Sequence, residues 1–343
     1  MSSENSAADF KYSLHAKYFL RCLFVLPSDL SSLDDSRVAL AFYSLAGLDL
    51  LDELSSSTKV DKSEFISWIY QLQWKFEQGP YGFRGSTSAI ISRTEPNPYD
   101  RMHVTMTMTS LLSLLILGDD LEHVEREKIA SSLRYLQLNN GAFLASPIST
   151  QNDLRFVYCA CAIAFILNDW SGIDRALCEK YILSCRTYEF AFGQVPDAEA
   201  HGGSTFCAVA SLSLLDVLDR LENQEELIRW CLFRQEEGFN GRPNKPEDSC
   251  YSWWIVATLK LLKKDFLIDC PSNETFLHAT ESKLVGGFSK WPDSRPDPLH
   301  SYLSLAGLSL MKNERLKSIH PALIVSSEMI DRLREVFHKK WMN

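Results

Sequence analysis

The chain has 343 residues, 45% hydrophobic and 23% charged, enough apolar content to bury one large core or two ordinary ones. A formal net charge of −9 excludes a nucleic-acid footprint, so nucleic acid is not an expected partner. Nine cysteines, an odd count with no C-x-x-C pair, point to reduced thiols and a cytoplasmic protein rather than a disulfide framework.

Met1-Ser-Ser-Glu4 opens the chain with neither a secretory leader nor a myristoylation signal, and Lys340-Trp-Met-Asn343 closes it without a prenylation box. Between them, apolar residues recur at helical spacing over residues 38–48, 106–117, 156–167, 206–217 and 251–262. Several of these segments lack a polar face, which predicts helices buried between an inner and an outer layer. The most apolar run, residues 111–117, is too short to cross a bilayer, so no transmembrane segment is expected. Residues 78–99 are rich in Gly, Ser, Thr and Pro and read as a loop on a rim rather than a linker. One domain over residues 1–343 is therefore expected.

A repeat underlies the helices. Gly82-Phe83, Gly141-Ala-Phe143, Phe192-Gly193, Gly238-Phe239 and Gly287-Phe288 mark similar glycine-aromatic turns, and the last four aromatics are 49, 47 and 49 residues apart. Gln73, Gln137 and Gln235 precede three of the turns. A unit of about fifty residues with two helices and a turn fits a helical repeat, either an open solenoid or a closed barrel.

The chemistry lies in the last of these turns. Asp248-Ser-Cys250-Tyr251 and His300 supply a carboxylate, a thiol and an imidazole, three protein ligands that would leave zinc one open position. By spacing alone, Asp248 is equally an N-terminal cap for the helix that follows and His300 a satisfied histidine. Upstream, Gly238-Phe-Asn-Gly-Arg242-Pro-Asn-Lys245-Pro is a basic loop, or simply a solvated one. His201-Gly-Gly203 precedes a helix predicted over residues 204–214, where backbone N–H groups and a cationic ring would meet a phosphate. Arg242, Lys245 and the Tyr251 hydroxyl would add charge-assisted hydrogen bonds. A thiol-activating metal beside an anion site suggests transfer of a group from a diphosphate ester to sulfur.

These residues resemble the β subunits of protein prenyltransferases. The likeness rests on His201-Gly-Gly-Ser-Thr-Phe-Cys207, Gly241-Arg-Pro-Asn-Lys-Pro-Glu-Asp-Ser-Cys-Tyr-Ser-Trp-Trp254 and Gly286-Gly-Phe-Ser-Lys-Trp-Pro-Asp-Ser-Arg-Pro-Asp-Pro-Leu-His300. It extends to Asn152-Asp-Leu-Arg-Phe-Val-Tyr158 and residues 36–51, nearly the whole chain, and is greatest to the geranylgeranyltransferase type I branch. The resemblance implies an all-α barrel of six inner and six outer helices, paired with a helical α subunit into a heterodimer. It implies one zinc ion on Asp248, Cys250 and His300, whose open position takes the cysteine thiol of a C-terminal CaaX peptide of a small-GTPase-type protein. The thiolate would attack carbon 1 of geranylgeranyl diphosphate, held by His201, Arg242, Lys245 and Tyr251 with a lysine from the α subunit. Aromatics such as Tyr158 and Trp254 would line the isoprenoid cavity.

Three positions bear on the branch. Lys290 stands where farnesyltransferases carry a magnesium-binding aspartate, which implies turnover without magnesium. Ala39 matches a tryptophan that closes the tunnel end in farnesyltransferases; type I enzymes usually have threonine there, so Ala39 is a small-residue departure. Leu299 replaces a farnesyltransferase tyrosine. His103 and Arg155 match positions that reach the peptide carboxylate through a water, with Gln151 in place of an expected glutamate. Phe156 and Thr105 match the pocket for the final residue, leucine in most substrates. The alternatives are a farnesyltransferase or Rab-specific β subunit, or a non-catalytic helical-repeat scaffold. A terpene cyclase would need an acidic initiating motif, and neither Asp34-Asp35 nor Asp119-Asp120 fits one.

Overall fold

The computed structural model describes residues 10–26, 28–74, 79–88 and 101–340. Residues 78 and 89–99 of the expected rim loop lie outside these, as do the terminal tetrapeptide at the start and residues 341–343.

Among the described residues the regular secondary structure is almost entirely helical. In order the helices are α1 (Tyr12–Phe24), α2 (Arg37–Leu50), α3 (Lys62–Leu72), α4 (Val104–Leu117), α5 (Arg126–Ser132), α6 (Leu154–Ile166) and α7 (Arg175–Ser184). Then follow α8 (Gly202–Leu214), α9 (Gln224–Leu232), α10 (Tyr251–Leu261), α11 (Cys270–Thr280), α12 (Pro298–Leu310) and α13 (Ser327–Lys340). The even-numbered helices from α2 to α12 each pack on the next, and α12 returns to α2. The ring is closed, which decides between the barrel and the solenoid. Six odd-numbered helices alternate with it, and α1, α3, α7 and α9 each pack on the inner helix that follows. The all-α barrel of six inner and six outer helices is thus the observed architecture.

The repeat supplies the geometry. Phe83, Phe143, Phe192, Phe239 and Phe288 are fully buried, and each forms an antiparallel bridge with a residue that follows an outer helix: Gln73, Gln137, Arg186, Gln235 and Glu281. The amides of Phe83, Phe192 and Phe288 donate to Thr107, Thr205 and Ser301 on the inner helix they precede, at 2.9, 3.1 and 2.9 Å. Gly141 (φ +97°) and Gly287 (φ +81°) occupy backbone conformations that a side chain disfavours, which explains glycine there.

A second set of bonds joins neighbouring repeats. The N–H of Val38, Val104, Leu154, Gly202 and Ser249, at the starts of successive inner helices, donates to the carbonyl of Gly85, Ala145, Gln194, Gly241 and Lys290 in the turn of the next repeat. All inner helices therefore begin at one end of the barrel. We call that end the mouth.

The opposite end is filled by the C-terminal segment. A hairpin of β1 (Ile319–His320) and β2 (Val325–Ser326) is pinned to the end of α2, where Ser326 and Lys317 meet Asp49 at 2.6 and 3.1 Å. Its tip lies inside the ring. The Tyr158 hydroxyl donates to the Ala322 carbonyl at 2.8 Å, and the Tyr302 hydroxyl to the Ile324 carbonyl at 2.6 Å. Helix α13 covers this end, packing on α4 and the hairpin. No described helix is long and apolar enough to cross a membrane.

The first and last repeats are latched through Glu281. Its buried carboxylate accepts the Lys11 amide at 2.6 Å, lies 3.2 Å from His15 Nε2 and pairs with Lys283. His15 Nδ1 in turn accepts the Gly287 amide at 2.9 Å. Burial alone would raise the Glu281 carboxyl, but bonds from His15, Lys283 and the Lys11 amide bring it down to about 2. A carboxyl depressed on folding contributes stability above its unfolded value of about 4.3, lost as pH falls toward 2. Glu281→Gln is expected to cost about 3 kcal/mol at pH 7, because it leaves buried partners uncompensated. Thermal melts of parent and variant should differ at pH 7 and draw together at pH 3; equal melting at pH 7 contradicts the latch.

Candidate metal and anion site at the barrel mouth

Two adjacent repeats bring the predicted ligands together. The Asp248 amide donates to the Phe239 carbonyl at 3.0 Å, and the Ser249 hydroxyl to the Ser289 carbonyl at 2.7 Å, so the turn before α10 lies against the turn before α12. One donor atom each from Asp248, Cys250 and His300 then lies within 4.8 Å of the others. Asp248 caps α10 from two residues before the cap position, accepting the Cys250 amide at 3.0 Å; its other duty is inward, with Oδ1 3.3 Å from His300 Nε2. Asp297, the N-cap of α12, accepts the His300 amide at 3.0 Å and takes His300 Nδ1 at 2.6 Å. That second bond places the proton on Nδ1 and turns Nε2 toward Asp248 and Cys250, the arrangement a metal-ligating histidine needs.

The electrostatics agree. Burial lowers the His300 imidazole, but hydrogen bonds to Asp248 and Asp297 outweigh it and carry the ring to about 9. Burial tends to raise Asp248, and His300 with the Cys250 groups holds it below the usual carboxylate range. Burial and then the Asp248 charge push the Cys250 thiol well up. Two carboxylates thus stabilise a positive charge between them, and a divalent cation can replace the proton. An oxygen, sulfur and nitrogen donor set with a carboxylate-oriented imidazole fits zinc.

The anion side abuts it. His201 caps α8: Nδ1 accepts the Ser204 amide at 3.2 Å and Nε2 lies 2.7 Å from the Tyr251 hydroxyl. With Nδ1 an acceptor, Nε2 carries the hydrogen toward Tyr251, leaving the phenol hydrogen free for an anion. Burial, then the Arg242 charge, lower the His201 pKa. The expected cationic ring is therefore corrected to a neutral one, and α8 starts at Gly202 rather than at Ser204. Arg242 pairs with Glu199 at 2.9 Å, and Lys245 is exposed in the same turn. Lys290 Nζ lies 3.7 Å from Asp248 Oδ2 and over the Trp291 ring. Gly241 explains itself here: a Cβ would stand 2.2 Å from the Tyr251 hydroxyl. Gly241→Ala is expected to shift Tyr251 and weaken diphosphate binding about tenfold, roughly the 1.4 kcal/mol of one lost charge-assisted bond, without loss of fold. Calorimetry with inorganic diphosphate, beside a thermal melt, checks it.

Residues 10–325 match the family model described as prenyltransferase alpha-alpha toroid domain. The chain belongs to this family. It is 41% identical over 330 residues to the geranylgeranyl transferase type-1 subunit beta of Dictyostelium discoideum, covering 91% of this chain and 94% of the relative. It is 36% identical over 338 residues to the subunit of that name from Arabidopsis thaliana, covering 92% and 89%. Among solved structures, Candida albicans protein geranylgeranyltransferase-I complexed with GGPP superposes with a TM-score of 0.88 at 29% identity, over 96% of this chain and 99% of that one.

The remaining predicted residues lie on the inner helices or in the turns before them. His103 caps α4, its Nδ1 accepting the Thr105 amide at 3.1 Å, and stands edge-on to Phe156. Burial chiefly brings His103 down to about 4, with Asp35 opposing. Arg155 lies over the Phe156 ring and is bound through Nε and Nη2 to Asp153 at 3.0 and 2.8 Å. Gln194 completes that carboxylate's shell at 2.8 Å. Thr105 Oγ1 touches Cys159 Sγ at 3.5 Å, and Gln151 is exposed beyond the cap. Leu299, half-buried, precedes His300 in the first turn of α12. Tyr158 and Trp254 flank Phe206 with ring centroids 5.4 and 5.1 Å away. Ala39 lies in the first turn of α2. It is therefore near the mouth and not at the closed end of the axis, so a tunnel ending at Ala39 runs sideways toward α2.

Sequence reasoning passed over Asp297, Asp153, Glu199 and Tyr43. Each of the three acids sits two or three residues before a site residue or, for Glu199, across a turn from one. Tyr43 follows Ala39 by one helical turn, and its ring lies 6.2 Å from that of Tyr302. Burial chiefly raises its hydroxyl, and its ring contact with Tyr302 joins the neighbouring inner helices α2 and α12.

Proposed function

We propose that this chain, acting as one barrel domain over residues 1–343, is the zinc-dependent catalytic β subunit of a cytoplasmic protein geranylgeranyltransferase type I. It pairs with an α subunit and transfers the geranylgeranyl group of geranylgeranyl diphosphate to the cysteine thiol of CaaX proteins ending mostly in leucine. The observation that carries the reading is the convergence of Asp248, Cys250 and His300 within 4.8 Å beside the His201–Tyr251 pair, at the mouth of an apolar lumen. Bound zinc supplies a Lewis acid that lowers the pKa of a thiol ligand.

The chain's own residues do the rest. Asp297 fixes His300; Asp248 and Cys250 complete the donor set. His201 orients the Tyr251 hydroxyl, and Arg242, Lys245 and Lys290 lie on the same arc, suited to the charge that builds on a departing diphosphate. The thiol gives its proton to solvent, the thiolate sulfur bonds to carbon 1 as the carbon–oxygen bond breaks, and the diphosphate carries away the electron pair. His103, Arg155, Thr105, Phe156 and Leu299 surround the space for the peptide end; Tyr158, Trp254 and Ala39 surround the isoprenoid.

The test is transfer by the complex with an α subunit, with zinc present and magnesium omitted, to a peptide ending Cys-a-a-Leu. Preferential geranylgeranyl transfer is expected. Farnesyl preference with a magnesium requirement would instead make it a farnesyltransferase subunit, and absence of transfer would favour a scaffold. Lys290→Asp places a third carboxylate beside Asp248 and Asp297, so turnover of that variant is expected to become magnesium-dependent; indifference to magnesium removes Lys290 from the anion site.

A further inference from the structure

The hairpin tip closes the lumen in a specific way. In a six-membered ring, α6 and α12 stand opposite each other, three places apart. Tyr158 and Tyr302 are the fifth residues of these two helices. Their hydroxyls hold carbonyls of the same short segment, Ala322 and Ile324, at 2.8 and 2.6 Å. The tip is thus strung across the barrel axis between facing walls, each anchor a buried phenol that would otherwise lack a partner.

Exposure along the inner helices marks the same floor. Met106 and Trp254, in the first turn of their helices, are half-buried, as is Tyr43 two turns into α2. Below them the inner helices are buried until their final turns. The open lumen is about two helical turns deep, roughly 11 Å, and deepest beside α2. An extended twenty-carbon chain starting at the mouth cannot run straight down it.

One residue of the tip is held at a cost. Ile324 has φ +54°, the left-handed region that a β-branched side chain rarely enters. Such a conformation persists where the surroundings impose it, and it collects at ligand-holding positions. Ile324 also shows more surface than its neighbours, 5% against 0% for Leu323 and 1% for Ala322.

We infer that the hairpin tip is the floor on which the isoprenoid stops descending, making Ile324 a chain-length determinant and Tyr158 and Tyr302 its positioning residues. The inference rests on the isoprenoid-transfer function proposed above.

The test uses the complex with its α subunit and compares kcat/KM for fifteen-, twenty- and twenty-five-carbon diphosphates with one acceptor peptide. Ile324→Gly keeps the backbone conformation at no steric cost and lowers the floor. The ratio of twenty-five- to twenty-carbon activity should rise at least tenfold, with the melting temperature maintained. Ile324→Asn, which tolerates the same φ but sets an amide on the floor, should depress twenty-carbon activity at least tenfold and leave fifteen-carbon activity within twofold. Unchanged ratios in both variants overturn the floor while leaving transfer intact. A uniform loss across all three lengths also overturns it, as a structural role only. Absence of transfer by the unaltered complex rejects the function and the floor with it.

Discussion

Cys250→Ala is expected to empty the mouth of zinc and to lower turnover on the order of a thousandfold, the several kcal/mol that a Lewis acid contributes to such a step. The substitution leaves Asp248 and His300 as two protein donors where three stood, and two seldom hold zinc against dialysis. Its cost to folding should be small by comparison, because the thiol has no role in the α10 cap beyond its own backbone N–H. Zinc content after dialysis, measured by elemental analysis beside a single-turnover assay, decides it. A variant that keeps a full equivalent of zinc and turns over normally removes Cys250 from the site.

The second large effect is expected at a residue that touches neither zinc nor substrate. Asp297→Asn retains an oxygen to cap the His300 amide, so α12 should still begin where it does. The charged bond to Nδ1, at 2.6 Å in the parent, is lost. Removing such a partner typically weakens a metal site by about 10- to 100-fold. Competition with a chelator should show that loss in zinc affinity while the melting temperature changes little. The reverse pattern, lower melting with unchanged affinity, would confine Asp297 to capping.

What the sequence discloses here follows from what is local. The glycine-aromatic turns are visible because each repeat reuses one buried phenylalanine and its bridge, and the donors of the proposed metal site because three unlike ligand types fall in consecutive turns. Closure of the ring was not legible in the helical spacing and came only with the family resemblance, since an inner helix buried on every side reads alike in a solenoid and in a barrel. Asp153 and Asp297 were passed over because an acid at a helix start already has a sufficient reason to be there. The charge of His201 was misread for a related cause: its cap and its Tyr251 partner, fifty residues away, exist only in the fold. Ala39 could be matched by position, but its depth depends on where α2 begins. The partner of Tyr158 lies 164 residues downstream.

The common direction of the inner helices has an electrical consequence. Six helix starts converge on the mouth, each carrying roughly half a positive charge, although the chain as a whole is at −9. What caps each start then decides the local sign. Neutral imidazoles cap α4 and α8, so those dipoles stay uncompensated, and His201 lies on one of them. Carboxylates cap α6 and α12 and reach back to the start of α10, and each of these has a cationic group or the metal ligands beside it. The choice between histidine and aspartate at one repeated position is enough to set the local sign start by start, so that the aspartate-capped α6 stands between the histidine-capped α4 and α8.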